Sequence, residues 1–185
     1  MLFDNLPTRI FLDSSTLQTL NTYGEFIWEG IEVEDNNPIW IVPDGIDNLN
    51  ALRNIFLVNQ RANFEFALSQ NSLQEVVAKG DNGYLQWAFA VIDHWQSMLD
   101  AYVQNPINQE DLTRAFKLDT PSFGYLGLGD RKLIKDAVML GCHAFLTMER
   151  KLPKNAHHIQ QELGLLILTP VRYWDILKPV ANLYF

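Results

Sequence analysis

Apolar runs of strand length and apolar stripes of helical spacing alternate along this chain. Arg9-Ile-Phe-Leu12 is an apolar run that stops at Asp13, and Leu17 and Leu20 follow Ser14-Ser15-Thr16 at helical spacing. This predicts strand, turn and helix, with Ser14 or Ser15 able to cap the helix through its hydroxyl. Between 24 and 45, Ile27, Trp28, Ile31 and Val33 precede Asn36-Asn37-Pro38 and then Ile39-Trp40-Ile41-Val42. That pattern suits a hairpin or an irregular insertion better than a helix. Leu49, Leu52, Ile55, Phe56 and Leu57 give an amphipathic helix from Asp47 to Gln60, Phe64 to Leu68 a second strand, and Leu73, Val76 and Val77 a further helix.

A long helix is predicted from Asn82 to Gln104, with Leu85, Phe89, Ile92, Trp95 and Leu99 near one stripe and Pro106 beyond its end. Pro121, Gly124, Gly127 and Gly129 mark residues 117 to 129 as a loop. A helix is then expected from Asp130 to Gly141, a strand over Ala144 to Thr147, a helix over Leu152 to Leu163, and a strand over Leu165 to Leu168. Thr169-Pro170 opens a terminal helix through Leu177. Alternating strands and helices predict an α/β fold with a mainly parallel sheet covered on both faces.

Composition narrows the class. With 185 residues, 48% of them hydrophobic and 19% charged, the chain suits one α/β domain with inserted sequence better than two cores. The apolar runs at 87–92 and 163–168 are far shorter than a membrane helix, so no span is expected. Met1 to Leu12 does not resemble a secretory leader, and Cys142 is the lone cysteine, which excludes an intrachain disulfide or a cysteine zinc site. A cytoplasmic location is the default expectation. Residues 1 to 50 hold nine acids and one base, Arg9, and account for the whole net charge of -8. Such a balance argues against a non-specific nucleic-acid coat, yet it leaves room for a nucleic-acid enzyme whose metal site is built from carboxylates.

In an open parallel sheet, functional groups gather at the carboxyl ends of the strands. This rule selects Asp13 after the first strand, Glu75 beyond the second, Asp130 at a helix start and Glu149 past Thr147. Glu65 competes with Glu75, and Asp136 reads as a surface or pairing acid. Carboxylates brought together repel one another, and the usual remedy is an oxygen-liganded cation such as Mg²⁺ or Mn²⁺. Such an ion lowers the pKa of bound water and stabilises charge on a phosphodiester during in-line displacement.

The stretch from Gly129-Asp130 through Gly141 to Thr147-Met-Glu149 resembles the third and fourth acidic motifs of PIN domains: an Asp opening a helix, Gly eleven positions later, and a strand ending in Thr-x-Asp. Leu165 to Asp175 is similar to their final strand and helix, Phe11-Leu12-Asp13-Ser14-Ser15 to their first strand, and Ser69 to Val76 to the segment with their second acid. The resemblance implies a PIN-like three-layer α/β/α sandwich, a single domain over 1–185 with inserted segments near 23–63 and 80–128. It also implies a metal-dependent endoribonuclease, often the toxin of a toxin-antitoxin pair, with Asp13, Glu75, Asp130 and Glu149 binding Mg²⁺ or Mn²⁺. Glu149 departs from the family, which usually has Asp there.

Ser15 and Thr147 are expected to orient carboxylates or bound water. Arg131, Lys132, Arg150 and Lys151, with Lys135 and Lys154, are candidates to hold RNA phosphates, against the plainer account of a solvated helix face. His143, His157, His158 and Cys142 read as structural, and the aromatic residues between Tyr84 and Tyr102 as core or dimer surface. The competing function is a PIN-like binding module without turnover, with an antitoxin or other protein partner and a homodimer both open. Phosphatase chemistry on Asp13 is poorer, because Ser15 stands where a second aspartate would be expected.

Overall fold

The computed structural model describes residues 6–62, 64–78, 83, 84, 86–90 and 108–181. Four strands form the central sheet: β1 (Arg9–Leu12), β2 (Glu65–Ala67), β3 (Ala144–Leu146) and β4 (Leu166–Leu168). Their spatial order is β2-β1-β3-β4 and every pairing is parallel, with Arg9 opposite Glu65 and Phe11 between Ala67 and Phe145. Parallel neighbours need long crossovers, and helices supply them. The helices are α1 (Ser14–Thr22), α2 (Gly45–Ala62), α3 (Gln70–Ala78), α4 (Gln109–Lys117), α5 (Leu128–Met139), α6 (Ala156–Leu163) and α7 (Pro170–Ala181).

Alternation along the strands divides the interior into two cores. Ile10, Leu12, Phe66, Ala144 and Leu146 face one side, where Leu17 and Leu20 of α1, Leu52 and Ile55 of α2 and Tyr173 and Leu177 of α7 cover them. Phe11, Ala67, Phe145 and Ile167 face the other side, under Ala115 of α4, Ile134 and Ala137 of α5 and Ile159 and Leu163 of α6. The result is a three-layer α/β/α sandwich. Phe11 and Phe145 stack with ring centroids 5.3 Å apart and planes at 11°, an arrangement that adds about 1 kcal/mol to their burial.

Several elements differ from the sequence expectation. Ser14 and Ser15 are helical residues, not caps: Asp13 occupies the N-cap position, and no side chain caps α1. Residues 25–41 form no hairpin. They hold a π-helical turn (Glu25–Glu29), ended by Gly30 at φ 76°, and a 3-10 turn (Pro38–Ile41) that Asn37 caps by accepting from the Ile39 N–H. Helix α5 starts two residues earlier than expected because Gly127 serves as its N-cap, which puts Asp130 inside the first turn. The helix expected over 152–163 begins as a 3-10 turn (Leu152–Asn155). Most of the helix expected over 82–104 lies outside the described residues, of which 83, 84 and 86–90 are helical. Among the described residues, no helix is long and apolar enough to cross a membrane.

Candidate functional site

Asp13 ends β1 at the carboxyl edge of the sheet and is 6% exposed. Its Oδ2 accepts from Ser15 Oγ at 2.6 Å and from Thr147 Oγ1 at 2.7 Å, while among the described residues Oδ1 receives Ser14 Oγ alone, at 3.5 Å. The two hydroxyls are themselves held: Ser15 Oγ accepts from the Met148 N–H at 3.1 Å, and Thr147 Oγ1 from the Glu149 N–H at 3.0 Å. The chain after β3 is thereby pinned to the start of α1. One carboxylate oxygen is fixed by two short bonds, and the other has a single long contact among the described residues.

Three other acids come to the same end of the sheet. Burial first, and then the charge on Asp13, raises the Asp130 carboxyl above its ordinary value, with a hydrogen bond from the Gly127 backbone working against them. That bond reaches back from the first turn of α5 to its N-cap, as in a capping box. Glu149 is raised by burial and then by Asp13, Asp130 and Glu75 in turn, with Lys151 opposing. Glu75 projects from α3, which packs against both α1 and α5. Its Oε1 lies so near Gly129 that a Cβ there would stand 3.3 Å from it. Asp13, Glu75, Asp130 and Glu149 thus share one electrostatic neighbourhood, although they come from four parts of the chain.

The donor set is oxygen throughout, which suits Mg²⁺ or Mn²⁺, and its mutual repulsion is what a dication would cancel. Among the described residues, no three His, Cys, Asp or Glu side chains stand together closely enough to hold a metal ion.

The expected phosphate-binding residues have different fates. Arg131 is half-buried, and its Nε donates to the Leu126 carbonyl at 3.2 Å. Lys132, Arg150 and Lys151 are exposed, and Lys151 is near enough to Glu149 to oppose the rise of its carboxyl. Lys135 donates to Asp119 at 2.7 Å and lies over the Phe116 ring. Asp136 accepts from Asn71 at 2.7 Å. His158 packs on Phe123 and meets the Tyr125 hydroxyl at 2.9 Å, and Cys142 is buried, which pushes its thiol up to about 12. Glu65 lies at the opposite, amino edge of the sheet, 2.6 Å from Arg9 Nε.

Two features of this end were not anticipated. Tyr84 is 3% exposed, and its phenol is pushed up to about 12 by burial and then by the charges of Asp13 and Glu75, so its ring lies beside the acids. Its position in an aromatic helix had suggested only packing. The second is a cavity of about 540 Å³ between the starts of α2 and α7 and the chain after β3, lined by Asn48, Met148, Arg150, Arg172 and Trp174 among others. Arg150 was legible as a candidate, but nothing in the spacing ties Arg172 to it. No family model, curated protein or solved structure matches this chain.

Proposed function

We propose that this chain is a metal-dependent endoribonuclease that hydrolyses RNA phosphodiester bonds, with Mg²⁺ or Mn²⁺ held by Asp13, Glu75, Asp130 and Glu149. One observation carries the reading: at the carboxyl edge of a parallel sheet, burial and the charges of acids from other elements raise the Asp130 and Glu149 carboxyls, an arrangement that costs stability unless positive charge arrives. The resemblance of residues 129–149 to PIN-domain motifs supports it. A bound ion would supply an activated water and stabilise charge on the phosphodiester. Ser15 and Thr147 hold Asp13 Oδ2 in place, leaving Oδ1 for the ion. Arg150 and Lys151 directly follow Glu149 in sequence, where they can meet RNA phosphates.

The test is cleavage of a mixed RNA pool with Mg²⁺ or Mn²⁺. Asp13→Asn and Asp130→Asn are each expected to lower the rate roughly 1,000-fold, about 4 kcal/mol of barrier. Cleavage indifferent to both substitutions removes the proposal.

A second reading, a PIN-like binding module without turnover, draws on Glu149, where the family usually has Asp, on the acidic first 50 residues and on the long inserted segments. The long acidic stretch before α2 would then serve a protein partner such as an antitoxin. Absence of RNA cleavage under every metal tried, in a correctly folded preparation, favours this reading.

A further inference from the structure

Beyond β3 the chain serves two places at once. Thr147 and Glu149 belong to the acids, whereas Met148 and Arg150 line the 540 Å³ cavity next to them, the two-residue alternation of an extended chain. The cavity's volume falls within the range of small-ligand sites, about 300–1,000 Å³. Its lining is mixed. Arg150 and Arg172 contribute two guanidinium groups, and neither makes an ion pair or a side-chain hydrogen bond among the described residues. Asn50 and Asn54 add amides from α2, Trp174 adds an indole, and Asp175 adds a carboxylate. Asp44 and Asp47 also line it, so the cavity is no simple anion hole.

A ligand that uses all of these groups would combine negative charge with a flat, hydrogen-bonding ring. A nucleotide has that form: guanidinium groups take phosphate, an aromatic face takes an unstacked base, and amides and carboxylates take base edges and ribose hydroxyls. We propose that this cavity binds a single ribonucleotide of an RNA strand, turned out of its stack, with its phosphate on Arg150 and Arg172 and its base against Trp174. This rests on the nuclease reading and extends it, since a nucleotide seated here lies next to the acids and selects which phosphodiester reaches them.

The test is calorimetric titration of the full chain, without divalent metal, using the four ribonucleoside 5′-monophosphates and a 2′-O-methyl trinucleotide that resists cleavage. Saturable one-to-one binding is expected, tighter for the trinucleotide and weakened roughly tenfold by Arg172→Gln at an unchanged melting temperature. Arg150→Gln is expected to act in the same direction, and Trp174→Leu to erase differences among the four bases. The proposal is overturned by no binding at millimolar concentration, by binding that survives both arginine substitutions, or by mononucleotides binding better than the trinucleotide, which would make the cavity a site for free nucleotide. Metal is absent, so the nuclease reading fails separately: RNA cleavage would be missing while nucleotide binding persists.

Discussion

The two edges of the sheet treat acidic side chains in opposite ways. At the amino edge Glu65 meets Arg9 at 2.6 Å, Arg9 also donates to the Leu140 carbonyl, and Asp111 pairs with Arg114, which in turn donates to the Leu163 carbonyl. At the carboxyl edge Asp13 receives hydroxyls, Asp130 a backbone N–H, and Glu149 the fields of three other acids against one lysine. Burial alone does not separate the two edges, since Glu65 and Asp130 are both half-buried. The difference is the partner. Charge at the amino edge is compensated within the chain and serves the fold, while at the carboxyl edge burial and neighbouring acids raise the Asp130 and Glu149 carboxyls.

The largest effect expected from this contrast is stabilisation by cation. Mn²⁺ at a hundredfold its dissociation constant adds about 2.7 kcal/mol, roughly 5–10 °C in melting temperature for a chain of this size. Asp13→Asn should remove that shift, and an equal shift in both proteins would erase the distinction between the edges. Next is Arg9→Met, which takes the guanidinium from Glu65 and the donor from the Leu140 carbonyl. A loss of about 2 kcal/mol is expected in denaturant unfolding, with Mn²⁺ stabilisation retained.

The smallest effect has the opposite sign. The Asp130 and Glu149 carboxyls bind protons more tightly in the fold than in the unfolded chain, so they take stability away as pH rises from the ordinary carboxyl range through their raised values. Without metal, Asp130→Asn should raise the melting temperature by about 1–2 °C at neutral pH and flatten its decline with pH. A melting temperature that falls would mean that Asp130 is compensated as Glu65 is.

Much of the sandwich was legible because its strands are buried on both faces and therefore read as short apolar runs bounded by turns. Ile10 to Leu12, Ala144 to Leu146 and Leu166 to Leu168 are such runs. Helix α4 was missed although its ends are well marked, by Asn108 as cap, Glu110 and Asp111 in the first turn and Arg114 and Lys117 in the last. Its core contribution is Ala115, so no broad apolar stripe drew attention to it. The edge rule pointed to Asp13 and Asp130, but only tertiary structure could tell Glu75 from Glu65. Both follow or occupy the same strand region, and the register that pairs Glu65 with Arg9 is not written in local spacing. The cavity was illegible for a similar reason, since Arg150 follows β3 while Arg172 lies in the first turn of α7 after β4.

Gly129 illustrates how far a small residue can reach. Alanine at this position would carry its methyl carbon to 3.3 Å from an oxygen of Glu75, and the carboxylate would have to retreat by a few tenths of an ångström. The blank space on one helix is therefore a ruler for the acid on another, and filling it would move the Glu75 carboxylate without changing any acidic residue.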